Sequence, residues 1–462
     1  MLLTVIAQAG RGFADDQFHA GPLLDQFDLT LVPGHRTEAV GPLFYWQEAD
    51  TTSTWAIPPL LSRHRDLETD MTEFDILYPL FSYDRYGTQH RWHFFELLSF
   101  AGGPSQTETN RNRFTLFPVY FQQRSDDPAE NYTALFPIYG TLKHRLFRDE
   151  ITFAMFPLYS QTRKKDLVTD NYLWPLFATM SGPGLSGWQF WPLAGQEHKD
   201  ITFRTNTWHE TETVAGHENF FVLWPLFFTE RTGLGTENPA WQQASIPLYS
   251  VLRSPQRDST TVVWPFFNYI DDREKKYKEW DGPWPLVEFA RGEGKNTSRV
   301  FPFYSHAQSP TLESDFVLWP IFKHDHTSAE PLDRDRTRIL LYLYSDATDK
   351  NTDTGKSRRL ASLWPLFMHR RDFEGNTRLQ VLAPFEPFVT GSHKIERNWS
   401  PVWSVWRSEN NPKTGASSQS LLWNLYRRDV TPEHRRVSAL FGLFQHESSA
   451  EGNRTRLFFI PL

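Results

Sequence analysis

Leu173-Trp174-Pro175-Leu176-Phe177 is one copy of a five-residue signature, apolar–aromatic–Pro–apolar–aromatic, that returns about every 19 residues along the chain. Upstream lie Leu116-Phe117-Pro118-Val119-Tyr120, Leu135-Phe136-Pro137-Ile138-Tyr139 and Met155-Phe156-Pro157-Leu158-Tyr159. Downstream lie Leu223-Trp224-Pro225-Leu226-Phe227, Val263-Trp264-Pro265-Phe266-Phe267, Leu318-Trp319-Pro320-Ile321-Phe322 and Leu363-Trp364-Pro365-Leu366-Phe367. Pro192, Pro247, Pro285, Pro302, Pro384, Pro401 and Pro461 keep the same phase, while Tyr342, Asn424 and Gly442 stand in the proline slot of their units. A looser form precedes them in Gly41-Pro42-Leu43-Phe44, Ile57-Pro58-Pro59-Leu60 and Tyr78-Pro79-Leu80-Phe81. A fixed period means one structural unit copied many times, here roughly 20.

The periodicity divides the chain into an N-terminal segment (1–30), degenerate repeats (31–110) and a regular array (111–462). The long step from Pro192 to Pro225 predicts a degenerate unit around Trp208 or an extended loop. Turn clusters such as Ser125-Asp126-Asp127-Pro128, Glu374-Gly375-Asn376 and Asn411-Pro412-Lys413-Thr414-Gly415 separate the units, and no helical spacing of apolar residues is visible. Each unit therefore reads as one strand and one turn. The expected fold is all-β: a long antiparallel β-meander, closed or stacked in a propeller-like, solenoid-like or barrel arrangement.

Proline cannot donate to a sheet ladder, so its recurrence at one phase predicts a shared bend, bulge or strand break. If the signature is strand, its five positions are apolar on both faces, which predicts a belt of roughly 17 Å buried on both sides. Stacked soluble sheets satisfy that directly. An outer-membrane barrel is the sharpest rival, but its strands need about 9–11 residues with only the outward face apolar.

With 48 basic and 55 acidic residues interspersed, the net charge of −7 offers no basic stripe for nucleic acid. Absence of cysteine excludes disulfides, thiolate metal sites and a Cys nucleophile. Ala7-Gln8-Ala9 matches a small-x-small secretory cleavage site, although the apolar stretch before it is short and lacks a basic start. Residues 1–30 thus read either as an ordinary N-terminal segment or as the remnant of a signal peptide.

With its Leu-Trp-Pro-Leu-Phe and Leu-Phe-Pro-Leu-Tyr blocks followed by charged hairpins, the chain resembles uncharacterised bacterial tandem-repeat proteins over 111–462 and, weakly, over 40–110. The resemblance implies a β-rich, often exported protein of a Gram-negative bacterium and supplies no catalytic residues. The expected function is a non-enzymatic envelope scaffold or binding surface in the periplasm or outer membrane; composition alone leaves the cytoplasm open. The rivals are an outer-membrane pore and a carbohydrate-binding or carbohydrate-active protein. Expected partners are proteins or polysaccharides of the envelope or a membrane, with no cofactor.

His324-Asp325-His326 carries the one metal expectation. On a strand, alternate residues share a face, so His324 and His326 form a His-x-His pair that Asp333 and Asp335 could complete. The alternative is a solvated strand end of mixed charge. Trp208-His209-Glu210 and Glu197-His198 are weaker versions. Asp349-Lys350-Asn351-Thr352-Asp353-Thr354-Gly355 imitates a calcium loop, but its glycine is one residue late and Leu360 replaces the bidentate Glu. Gly182-Pro183-Gly184-Leu185-Ser186-Gly187 satisfies a dinucleotide fingerprint in letters only, because a strand follows it. Trp399, Trp403 and Trp406 could stack on sugar; their spacing fits core packing better.

Overall fold

A computed structural model describes residues 23–462, except 96, 105–109, 206–210, 451, 459 and 462. Ala7-Gln8-Ala9 and Trp208-His209-Glu210 lie outside the described residues. Forty-three strands follow an antiparallel meander; two more form a separate hairpin. The chain divides into one unit of residues 96–341 and another built from the segments before 96 and after 341.

Each repeat holds two short strands rather than the single strand expected from the sequence. Arg148–Ala154 leads through Met155-Phe156-Pro157-Leu158 to Tyr159–Lys164, and Leu167–Tyr172 leads through Leu173-Trp174-Pro175-Leu176 to Phe177–Gly182. The signature is therefore the turn. Leu158 N–H donates to Met155 O at 2.8 Å and Leu176 N–H to Leu173 O at 2.8 Å, with a cis prolyl bond inside each turn, the type VI arrangement. The missing proline N–H falls at a position that no ladder uses, which removes the hydrogen-bond deficit expected of a proline in mid-strand.

The Asn424 and Gly442 units, which lack proline, obey the same logic by another route. Leu422, Trp423 and Asn424 have φ of 42°, 56° and 65°, and Leu440, Phe441 and Gly442 have 53°, 56° and 86°. Positive φ at both central positions is a type I′ turn, the geometry that Asn and Gly accept most readily. Pro384 and Pro401, in phase by sequence, do not sit in such turns. Residues 382–405 form an insert with helices His393–Asn398 and Ser400–Trp403, the first capped by the Ser392 hydroxyl. The strands Thr377–Val381 and Trp406–Asn411 pair across it. The gap before Pro225 holds the separate hairpin Thr202–Thr205 and Thr211–Val214, while its flanking strands Ala194–Lys199 and Gly216–Val222 pair directly.

The core of the 96–341 unit is a row one residue in from the turns. Cross-strand neighbours Phe121, Ala134, Gly140, Phe153, Ser160, Asn171 and Ala178 follow one another on a single face, all buried. Small residues dominate because the turn aromatics lie over them: Phe136 packs on Phe153 with ring centroids 5.6 Å apart. Gly140 has no room for a side chain, since a Cβ there would lie 2.2 Å from the Ala134 Cα. The two-sided buried belt is thus corrected to one buried row beneath a layer of aromatics.

Candidate functional site

Three features stand out among the described residues: the edge formed by the signature turns, a histidine–carboxylate patch on the open face of the sheet, and buried charge clusters.

Two strands per repeat bring every signature turn of the 96–341 unit to the same edge, from Leu116 to Ile321. Successive turns are joined by backbone hydrogen bonds. Phe156 N–H donates to Pro137 O and Trp174 N–H to Pro157 O, both at 2.7 Å; Trp224, Trp264 and Trp319 donate likewise to Pro192, Pro247 and Pro302. The aromatics preceding proline stack in sequence, Phe136 on Phe156 at 5.4 Å and Phe156 on Trp174 at 5.7 Å. Their outer surfaces are bare: Trp174 is 52% exposed, Leu173 53%, Phe117 57% and Ile138 57%. The opposite edge is made mostly of polar hairpins such as Arg273-Glu274-Lys275-Lys276, where Arg273 pairs with Asp258 and Lys276 with Glu293, with the exposed Leu146-Phe147 tip as the apolar exception. Polarity thus runs along the strands, from an apolar aromatic edge to a charged one.

His324 and His326 sit within a larger histidine–carboxylate arrangement than His-x-His. His324 and His326 lie on Phe322–Ala329, paired with Leu332–Ile339, so that His324 faces Thr337 and His326 faces Asp335. Asp335 Oδ2 is 3.4 Å from His324 Nε2 and 3.9 Å from His326 Nδ1, and Asp333 Oδ1 is 3.5 Å from His326 Nε2. On the other side Asp315 faces His324 and Glu313 faces His326; one strand further, His306 faces Asp315. His306 Nδ1 lies 2.6 Å from Asp315 Oδ1. Three histidines and four carboxylates therefore share one face across four strands, opposite the aromatic layer. His306, Glu313 and Asp315 were missed in the sequence because their proximity depends on register, which no spacing motif encodes.

The buried clusters carry structural charge. Glu279, Asp281 and Glu288 are buried on the face beneath the aromatics, with Lys295 Nζ 2.7 Å from both glutamates and Arg299 Nη1 2.8 Å from Glu288. Burial and then the nearby Glu279 charge push the Asp281 carboxyl up to about 6. In the other unit the insert packs on the N-terminal strands through Arg397, which reaches Glu73 at 2.8 Å, Asp75 at 2.5 Å and the Ser62 hydroxyl at 2.9 Å. A cavity of about 130 Å³ there is lined by Arg36, Glu38, Arg407, Glu409 and Arg427. Burial raises the Glu409 carboxyl, but Arg407 and Arg378 outweigh it and hold it at about 2. Guanidinium and carboxylate pair closely here, as in Arg36–Glu38 at 2.8 Å and Arg427–Asp429 at 2.7 Å.

The remaining motifs are accounted for by turns and packing. Gly182-Pro183-Gly184 is a hairpin turn between paired strands, and Asp349 of the calcium-like stretch accepts from Arg358 Nε at 2.8 Å. Glu197 Oε1 accepts from His217 Nε2 at 2.6 Å, and His198 lies 3.1 Å from Asp200. Trp399 and Trp403 stack on each other at 5.5 Å within the helical insert, and their indole N–H groups donate to Tyr78 O and Glu386 Oε1. No protein-family model and no curated protein matches the chain.

Proposed function

We propose that this chain is a non-enzymatic β-repeat scaffold of the bacterial envelope, and that its working surface is the signature edge seated on a lipid surface. The observation that carries this reading is the continuous exposure of Leu, Trp, Phe, Ile and Val along one edge while charge is held at the other. Contiguous apolar surface of this kind marks an interaction site. Indole and phenyl rings flanked by aliphatic side chains suit the boundary between headgroups and acyl chains. Strand length supports seating over spanning: the longest described strands have eight residues, against about 9–11 for a membrane strand. No helix among the described residues is long and apolar enough to cross a membrane. The net charge of −7 assigns the attraction to apolar insertion rather than to anionic headgroups.

Flotation with phosphatidylcholine vesicles tests this. The purified chain is expected to rise with the vesicles at both low and high salt; recovery wholly at the bottom of the gradient would refute the proposal.

A further inference from the structure

We infer that the open face of the sheet around His306 is a binding site for a divalent transition metal of the zinc class, independent of the lipid-facing edge. His306, Glu313 and Asp315 each bring one ligand atom to within 4.8 Å of the other two. Ligand atoms around a tetrahedral zinc, at bond lengths of about 2.0–2.2 Å, lie roughly 3.3 Å apart. The triad therefore needs small side-chain rotations and no change of backbone. The next strand offers two candidates for a fourth donor, whose rings would have to turn from Asp335 and Asp333. His324 stands directly across from Asp315, and His326 directly across from Glu313.

The site is built on strands rather than on a loop, so register fixes the spacing of its donors. His306 belongs to Tyr304–Ser309 and both carboxylates to Leu312–Val317, strands paired from Tyr304–Val317 to Ser309–Leu312. Side-chain exposure of 36% for His306 and 30% for Asp315 leaves the donors reachable from solvent while the sheet orients them. The donor set selects the metal class. Imidazole nitrogen combined with carboxylate favours zinc and its neighbours, whereas calcium and magnesium prefer all-oxygen shells. By contrast, the Glu279–Asp281–Glu288 cluster already holds the Lys295 ammonium and has no nitrogen ligand.

The test is equilibrium dialysis of the full chain against zinc chloride, with calcium chloride as the control. One zinc per chain is expected, without calcium uptake. His306→Ala should weaken zinc at least ~10-fold, since loss of an outer partner alone costs about that much. Glu313→Gln combined with Asp315→Asn should abolish binding. Circular dichroism of each variant reports that the sheet is retained, and a second measurement, perturbation of histidine NMR signals by zinc in the unmodified chain, needs no variant. The inference is overturned if zinc does not bind, if His306→Ala leaves affinity unchanged, or if the perturbed histidines exclude His306.

Discussion

The backbone N–H of Trp174 donates to the carbonyl oxygen of Pro157 at 2.7 Å, joining two signature turns one repeat apart. The proline that cannot donate is thus used as an acceptor, and turns at an exposed edge are tied like rungs of a sheet. Amide hydrogen exchange should reveal this. The N–H groups of Trp174, Trp224, Trp264 and Trp319 are expected to exchange slowly despite their exposed side chains, as is that of the half-buried Phe156. Exchange as fast as that of an open loop would show that the turns are not stacked.

Two phenylalanines close in sequence should differ sharply. Phe153 is 3% exposed beneath Phe136, whereas Phe147 is 98% exposed at a hairpin tip with φ of 59°. Phe153→Ala is expected to cost about 3–5 kcal/mol, while Phe147→Asn should be neutral or slightly stabilising. Chemical denaturation of the two variants decides it.

The meander was legible in the sequence because turn residues and signature share one period. Its interpretation was less so. A block of Leu, Trp, Leu and Phe looks like buried strand by hydropathy, yet around Pro175 the chain reverses and the block lies at an edge. The exceptions Asn424 and Gly442 held the clue, since both are residues of left-handed turns. His324 and His326 were visible from alternation alone. His306 and Asp315 become neighbours only through pairing register, which a single sequence does not specify. The helices at 393–403 are too short for a periodic signal, and their stability comes from Arg397, Asn398 and Trp399 bonding to strand and turn residues more than 300 positions earlier.

Gly442 should not tolerate a β-branched residue. At φ of 86° a side chain meets the steric penalty of left-handed backbone, so Gly442→Val is expected to cost about 1–2 kcal/mol, and Gly442→Asn less. Thermal melting of both variants gives the order.

Arg397→Met should be among the most damaging single changes. It leaves the fully buried Asp75 without its guanidinium, at a cost of about 3–5 kcal/mol. Arg273→Met, at an exposed pair, should leave the urea midpoint in place. Arg397 and Lys394 outweigh burial and hold the Asp75 carboxyl below its ordinary value. That contribution is present above the ordinary carboxylate range and disappears as pH falls through the depressed value. The gap between wild type and Arg397→Met should therefore narrow in acid.

Asp281 behaves in the opposite sense. Its pKa is raised from 3.8 to about 6, so the favourable contribution exists below 3.8 and is lost as pH rises through about 6. The difference of roughly two units corresponds to about 3 kcal/mol. Asp281→Asn, which can still accept from Asn268, should flatten stability between pH 4 and 7 and exceed wild type at pH 7.5. A variant less stable than wild type at pH 7.5 would contradict the raised pKa.

Quenching of tryptophan fluorescence by phosphatidylcholine brominated along its acyl chains tests the lipid-seated edge most directly. Trp174, Trp191, Trp224, Trp264, Trp284 and Trp319 all lie in signature turns of the 96–341 unit, and replacing them together by Phe keeps the edge apolar. Wild type is expected to be strongly quenched, and the six-fold Phe variant to lose most of that quenching while still floating with vesicles. Absence of quenching in wild type, or equal quenching in the variant, would contradict the account.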